Sequence, residues 1–335
     1  MNRLSRAVSA GLLVCLGALA PAAASAQSFA GFRAFGVPID GIGARALALG
    51  NLGVGLAKVE VSATDPTASA DLLIPVVSVS MQPTWGDFTL GTSSGSSTWT
   101  RFPLMALGYP VLSAGGAVTV SLSGFMEQRW VSEIEATGNL GGVNVPSLDR
   151  FESDGGSSVA RLGWAHRLSD KAKVGLMGGT YLGRLDQTFT RTLDSLAVGG
   201  NIELFVEEGA WRYSGKSVTL GGSFDPSELV HVAGAVEWSG SLKATPLEET
   251  GGDVREYDVP VRFSLGATAT LTSRLNVNTS LKIQDWSGAS GYDPGALSSG
   301  SVSYGAGVEW HALQGETRSL PIRLGYRSVS LPFQF

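Results

Sequence analysis

Apolar and polar residues alternate one for one along segment after segment of this chain. That period confines it to β-strands with two unlike faces. In 118–126, Val118, Val120, Leu122 and Met126 share a face against Thr119, Ser121 and Ser123. In 230–239, Val230, Val232, Val236 and Trp238 oppose His231, Glu237 and Ser239. In 261–271, Val261, Phe263, Leu265, Ala267, Ala269 and Leu271 oppose Arg262, Ser264, Thr268 and Thr270. The same alternation runs through 275–284, 302–311 and 320–327. Candidates at 76–83, 103–112, 156–168, 172–190 and 211–224 bring the visible strands to about eleven.

Short polar turns ("LSDKAK", "DPSE", "LTSR") alternate with long polar stretches ("GNLGGVNVPSLDRFESDGGSS", "RTLDSLAVGGN", "LEETGGDVREYD"). This is the rhythm of an antiparallel up-and-down transmembrane β-barrel, with short periplasmic turns and longer outer loops. A soluble β-sandwich or propeller also alternates, so the period alone does not separate the two. Three further features favour the membrane. Segments of roughly 9–11 residues match a tilted crossing. Charges sit singly on the polar faces, as in a wet lumen. Trp130, Trp164, Trp211, Trp238, Trp286 and Trp310 fall at or near strand ends, where an interfacial girdle would place them.

The first 26 residues read as an export leader: Arg3 and Arg6, the apolar run "GLLVCLGALA", then Ala24-Ser25-Ala26 before Gln27. Cleavage there removes Cys15, the single cysteine, and with it any disulfide framework, thiolate metal site or cysteine nucleophile. Formal charge is −5 and no basic run occurs, which argues against nucleic acid as a partner. The expected organisation is a signal peptide over 1–26, a plug or hatch segment over 27–75, and a barrel over 76–335.

Residues 41–75, "GIGARALALGNLGVGLAKVEVSATDPTASADLLIP", contain a GxGxxA string at Gly41, Gly43 and Ala46. A dinucleotide site needs a strand before that string and a βαβ unit around it, and neither is present. Glycine and small apolar residues instead suit a short helix or compact loop packed where backbones come close. Ahead of the first strand, such a segment is a plug candidate, with Phe32, Phe35, Arg45, Gly50, Gly53, Gly55 and Leu56 as its packing residues.

The order Gly43-Ala44-Arg45-Ala46, Gly50, Asp65, Leu72 resembles the N-terminal hatch of the FadL-type outer-membrane transport barrels. The closing "LPIRLGYRSVSLPF" is similar to their late strands. The resemblance implies about 12–14 strands and passage of hydrophobic small molecules such as long-chain fatty acids. It also includes PorV-like relatives, non-transporting barrels that act as secretion or assembly partners; a general porin is a third reading. The usual N-P-A element is replaced by Ser69-Ala70-Asp71-Leu72. Fewer visible strands than expected fit a chain cut short at its C-terminus. The alternation of Val329, Leu331, Phe333 and Phe335 fits a complete one carrying a terminal barrel-insertion signal; both readings stay open.

Little in the sequence points to catalysis. His166, His231 and His311 lie on different strands without metal-ligand spacing. No enzyme activity, metal or cofactor is expected. The inward-facing Arg161, Arg262, Lys282 and Arg323 carry two readings. They attract the carboxylate of a ligand whose apolar part is held by aromatic and aliphatic residues, or they pair with Glu237 and Glu309. Expected partners are outer-membrane lipid, a hydrophobic ligand and the barrel-assembly machinery.

Overall fold

Among the described residues, fourteen antiparallel strands build one sheet in a computed structural model of the protein. It describes residues 36–57, 59–90, 93–140, 143–193, 202–247, 250–292, 297, 300–314 and 319–332. The expected leader and Phe32 and Phe35 lie outside the described residues. In chain order the elements are β1 (Val37–Pro38), α1 (Ala44–Ala48), β2 (Val76–Leu90), β3 (Ser93–Val111), β4 (Gly116–Leu140), β5 (Val143–Arg167) and β6 (Ala172–Leu193). There follow β7 (Ile202–Ser227), β8 (Val230–Ser239), β9 (Leu242–Pro246), β10 (Arg255–Tyr257), β11 (Arg262–Thr272), β12 (Leu275–Gln284), β13 (Ser301–Gln314) and β14 (Ser319–Ser328).

The main path runs β14-β13-β12-β11-β8-β7-β6-β5-β4-β3-β2. These are the eleven strands that alternation makes visible. The three others are too short for a period to show: β1 pairs β4 from inside, and β9 joins β7 to β10.

The sheet is turned inside out relative to a soluble protein. Leu162, Leu265 and Trp238 are exposed on the convex face, while Ser303, Thr219 and Glu309 are each at most 1% exposed on the concave one. Lipid outside and a filled interior account for that distribution; water outside does not. Among the described residues no helix is long and apolar enough to cross a membrane.

The polar stretches are where the expectation needs correcting. "GNLGGVNVPSLDRFESDGGSS" is no loop: β4 and β5 pair continuously from Met126↔Ser157 to Leu140↔Val143. β4, β5, β6 and β7 contain 25, 25, 22 and 26 residues, against 10 in β8, β12 and β14. A crossing needs about 9–11 residues, so at ~3.3 Å per residue these four carry roughly 40–50 Å of strand beyond it. Outside lipid neither face needs an apolar row, so the period disappears while the hydrogen-bonded ladder persists. Exposed ion pairs mark this extension, among them Arg129–Asp154 at 2.6 Å and Arg150–Glu152 at 3.1 Å.

Three further details differ. A register shift between Gly124 and Met126 turns Met126 off its expected lipid-facing row and buries it at 2% exposure. Trp286 is buried and Trp211 packs beside it in an interior cluster, so neither belongs to an outer girdle. The sheet also remains open among the described residues, with no pairing of β2 to β14. Eleven alternating strands leave these two edges running in the same direction. Antiparallel closure takes an even number, so it would need one more strand running the opposite way.

Candidate functional site

The concave face encloses residues 39–72, and backbone contact seats them there. Gly50 and Gly55 have φ of 62° and 77°, the left-handed region that glycine enters freely. A Cβ on Gly55 would lie 2.2 Å from the Gly266 carbonyl carbon in β11. One on Gly305 in β13 would lie 1.8 Å from the Gly50 oxygen. Gly53 serves the segment's own fold: its missing side chain leaves room for Thr64 and Ile42. Leu56 closes a small apolar core with Ile42, Ala46 and Leu49.

Hydrogen bonds tie the same segment to β11 and β12. Leu52 N donates to Ser280 Oγ at 2.9 Å, and Thr268 Oγ1 donates to the Gly55 carbonyl at 2.7 Å. Asp65 organises the turn by accepting from Gly55 N, Thr67 N and Thr67 Oγ1. On the far side, Pro66 rests on Gly175 of β6 and Gly221 of β7, and Leu72 and Val61 lie over Gly108 of β3. A segment that meets β3, β6, β7, β11, β12 and β13 together requires a strongly curled wall.

The charged candidates fall into two clusters, each held together by ion pairs. In the first, Arg161 of β5 reaches across β6 and β7 to Glu237 of β8 at 3.3 Å, and Arg262 of β11 binds the same carboxylate. Gly179 of β6 makes this possible, since a Cβ there would sit 3.1 Å from Arg161 Cγ. Thr219 Oγ1 donates to Glu237 as well. Lys282 of β12 belongs to this level but pairs with Asp40 of the enclosed segment at 3.0 Å, which Arg327 of β14 also binds at 3.1 Å. Sequence reasoning missed Asp40 and Arg327; the Asp40–Gly41 step inside a glycine-rich stretch reads only as a turn.

The second cluster centres on Glu309 of β13, which is 1% exposed. Arg45 of α1 grips both its oxygens, at 3.2 and 3.0 Å, and Arg323 of β14 approaches at 2.8 Å. Arg45 also touches Glu60 at 3.5 Å. Pairing is therefore the geometry found for Arg161, Arg262, Arg323, Glu237 and Glu309.

Carboxyls in the enclosed segment are unequally held. Burial pushes Asp40 up, but Lys282 and Arg327 outweigh it and leave the group below its ordinary 3.8. Burial also pushes Glu60 up; Arg45 offsets only part of this, and Asp65 and Glu309 add to the rise above 4.5. A raised folded-state value stabilises fully below the unfolded one and is lost as pH rises through the folded one. A lowered value does the reverse, its contribution vanishing as pH falls through it. Glu60→Gln is accordingly expected to hold or raise stability at neutral pH and to remove the stabilisation that Glu60 gains on acidification through its raised value to below the ordinary 4.5. Glu309→Gln removes the carboxylate that Arg45 and Arg323 share, leaving Arg45 only Glu60, and should cost about 3–5 kcal/mol. The temperature at which the folded band is lost on detergent gels, measured from neutral to acid pH, checks both.

Above the first cluster, away from the short turns, the interior becomes apolar and aromatic. Phe125, Tyr181, Tyr213, Leu242, Val259 and Trp286 pack together, with Tyr257 and Tyr292 at the margin. Phe125 meets Tyr181 edge-on at 4.9 Å, and Tyr181 hydrogen-bonds Ser239 at 2.7 Å. The three histidines stay apart: His231 bonds Asp225 and His311 bonds Ser319. Among the described residues no group of metal-ligating side chains assembles.

An inside-out antiparallel wall curled around an enclosed N-terminal segment defines the class: a barrel-type membrane β-protein with a filled interior. The solved structures it is similar to include a protein described as the CymD monoaromatic hydrocarbon channel. Identity is 15%, coverage 77% of this chain and 75% of that one, and the TM-score 0.43. The P. putida toluene transporter TodX matches at 12% identity over 87% and 84% of the two chains, also with a TM-score of 0.43. Both are distant likenesses of chain course. No family model and no curated protein matches the chain.

Proposed function

We propose that the protein is an outer-membrane channel for hydrophobic small molecules, exported by a leader cleaved after Ala26, with residues 27–75 as its plug. The observation that carries this reading is the layered interior: an aromatic region on the side of the long strand extensions, a charged level beneath it, and an enclosed glycine-rich segment closing the end with the short turns. An apolar solute entering past Tyr257 and Tyr292 meets a surface that can replace its own contacts before it reaches the plug. The filled interior disfavours a general porin. The aromatic layer, which an assembly partner would not need, disfavours a purely structural role.

The mature chain is expected to begin at Gln27, fractionate with the outer membrane, and change mobility on heating in detergent. Proteoliposomes containing it should take up an apolar probe such as toluene faster than empty vesicles. Recovery in the soluble periplasm, or uptake no faster than the lipid allows, would remove the channel reading.

A further inference from the structure

Four exposed cations stand on the convex face where the apolar rows of β6, β7 and β8 end and the extension begins. Arg184 lies directly opposite Arg212; one row nearer the membrane, Lys243 lies opposite Ser214, and one row further Lys216 lies opposite Thr180. Apolar surface follows at once, with Val218 opposite Trp238 and then Leu220 opposite Val236. Residues two apart on a strand share a face, so Arg212 and Lys216 project outward with Val218 and Leu220. Like charges directly opposite each other destabilise a sheet, and Arg184 and Arg212 are so placed. Asp186 holds Arg184 at 2.7 Å, and Glu256 holds Lys243 at 2.7 Å. Asp154, opposite Asp186, is taken by Arg129 at 2.6 Å. Among the described residues Arg212 and Lys216 meet no carboxylate, so two of the four positive charges are unmatched.

We propose that this patch holds the phosphorylated headgroup of an outer-leaflet glycolipid, whose acyl chains lie along Leu182, Val218, Leu220 and Trp238. The proposal rests on the barrel reading, with the strand extensions on the outer side. Trp238 is 56% exposed one row below Lys216, and an outward tryptophan at the end of an apolar band marks the headgroup level. Arg212 and Lys216 are four residues apart on one strand, ~13 Å at ~3.3 Å per residue. A headgroup with two phosphates reaches both, with Arg184 beside Arg212 at one end and Lys243 between the two. Guanidinium forks suit phosphate oxygens, and each such contact is charge-assisted. The bound anion also offsets the repulsion between Arg184 and Arg212 at the root of the extension. A free phosphate would meet the same cations without the apolar rows beneath them; that adjacency is what assigns the patch to a lipid.

Titration of the full-length protein in neutral detergent with diphosphoryl lipid A, the same lipid stripped of both phosphates, and inorganic phosphate tests this. The diphosphoryl lipid should bind about tenfold or more tightly than the stripped one, the effect of one charge-assisted hydrogen bond. It should also raise the temperature at which the folded band is lost on detergent gels. Arg212→Gln combined with Lys216→Gln should abolish most of that preference. Arg150→Gln, which removes an exposed cation farther out on the extension, should keep it. Equal binding of the two lipids by wild type overturns the proposal, as does a double variant whose preference is undiminished. Inorganic phosphate binding as tightly as the diphosphoryl lipid overturns the lipid as the source. Should the double variant give no heat-modifiable band, the two single substitutions decide by the same criterion. A wild-type protein with a heat-modifiable band and no phosphate preference rejects this patch and keeps the barrel. A wild-type protein with no such band rejects the barrel as well.

Discussion

Gly305→Leu is expected to leave the wall assembled and to make it leak. The side chain would enter the space of the Gly50 carbonyl oxygen, 1.8 Å from the position of its Cβ, and that oxygen belongs to backbone. Overpacking a core costs about 1–3 kcal/mol when side chains can yield, and here no flexible side chain stands in the way. The enclosed segment must leave its seat on β13 and β14, where Leu49 and Gly50 also press on Gly307 and Gly325. Passage of small polar solutes through proteoliposomes should rise several-fold, with the heat-modifiable band retained. Gly178→Leu is the control, because that glycine has nothing within 4 Å of its built Cβ. Equal permeability in the two variants would place residues 41–57 outside the lumen in the membrane.

Leu265→Arg should be the most damaging single change to the wall itself. Leu265 is 56% exposed on the convex face of β11, and an arginine at mid-bilayer costs about 2–4 kcal/mol. Period-2 reasoning expects its inward neighbour Thr268 to accept arginine mildly, as a residue of a wet lumen would. The structure corrects this. Thr268 is 3% exposed and holds the Gly55 carbonyl and the Ala57 N–H. Thr268→Arg should therefore be as harmful, but by another route: the enclosed segment is displaced while the barrel band survives. Assembly yield, protein retained in the membrane and solute leakage distinguish the two. If both variants lost the wall to the same degree, the assignment of faces would be wrong.

The strands and their faces were legible because a strand facing lipid on one side and a packed interior on the other must alternate residue by residue. All eleven strands of the main path carry that signature. Where apolar and polar residues are no longer sorted between the buried and the exposed face the signature vanishes, as at the buried Ser147 and Asp149 and the exposed Leu148, which is why the extensions of β4 to β7 read as loops. Met126 was misplaced for a related reason: one extra residue at a bulge reverses the period, and no composition announces it. Gly50, Gly53 and Gly55 were legible as sites of close approach but not as to what approaches them.

The sequence by itself therefore determined the antiparallel class, the inward and outward rows, and a glycine-rich segment needing a tight seat, all set by local stereochemistry and period. Only the tertiary structure decided that Arg161 meets Glu237 across two intervening strands, that Arg45 grips Glu309, and that Asp40 rather than a wall residue pairs with Lys282 and Arg327. These pairs join positions 76, 264, 242 and 287 residues apart. Which charges meet across such spans depends on how tightly the wall curls and on which residue at each crossing is a glycine. Neither leaves a periodic trace along the chain.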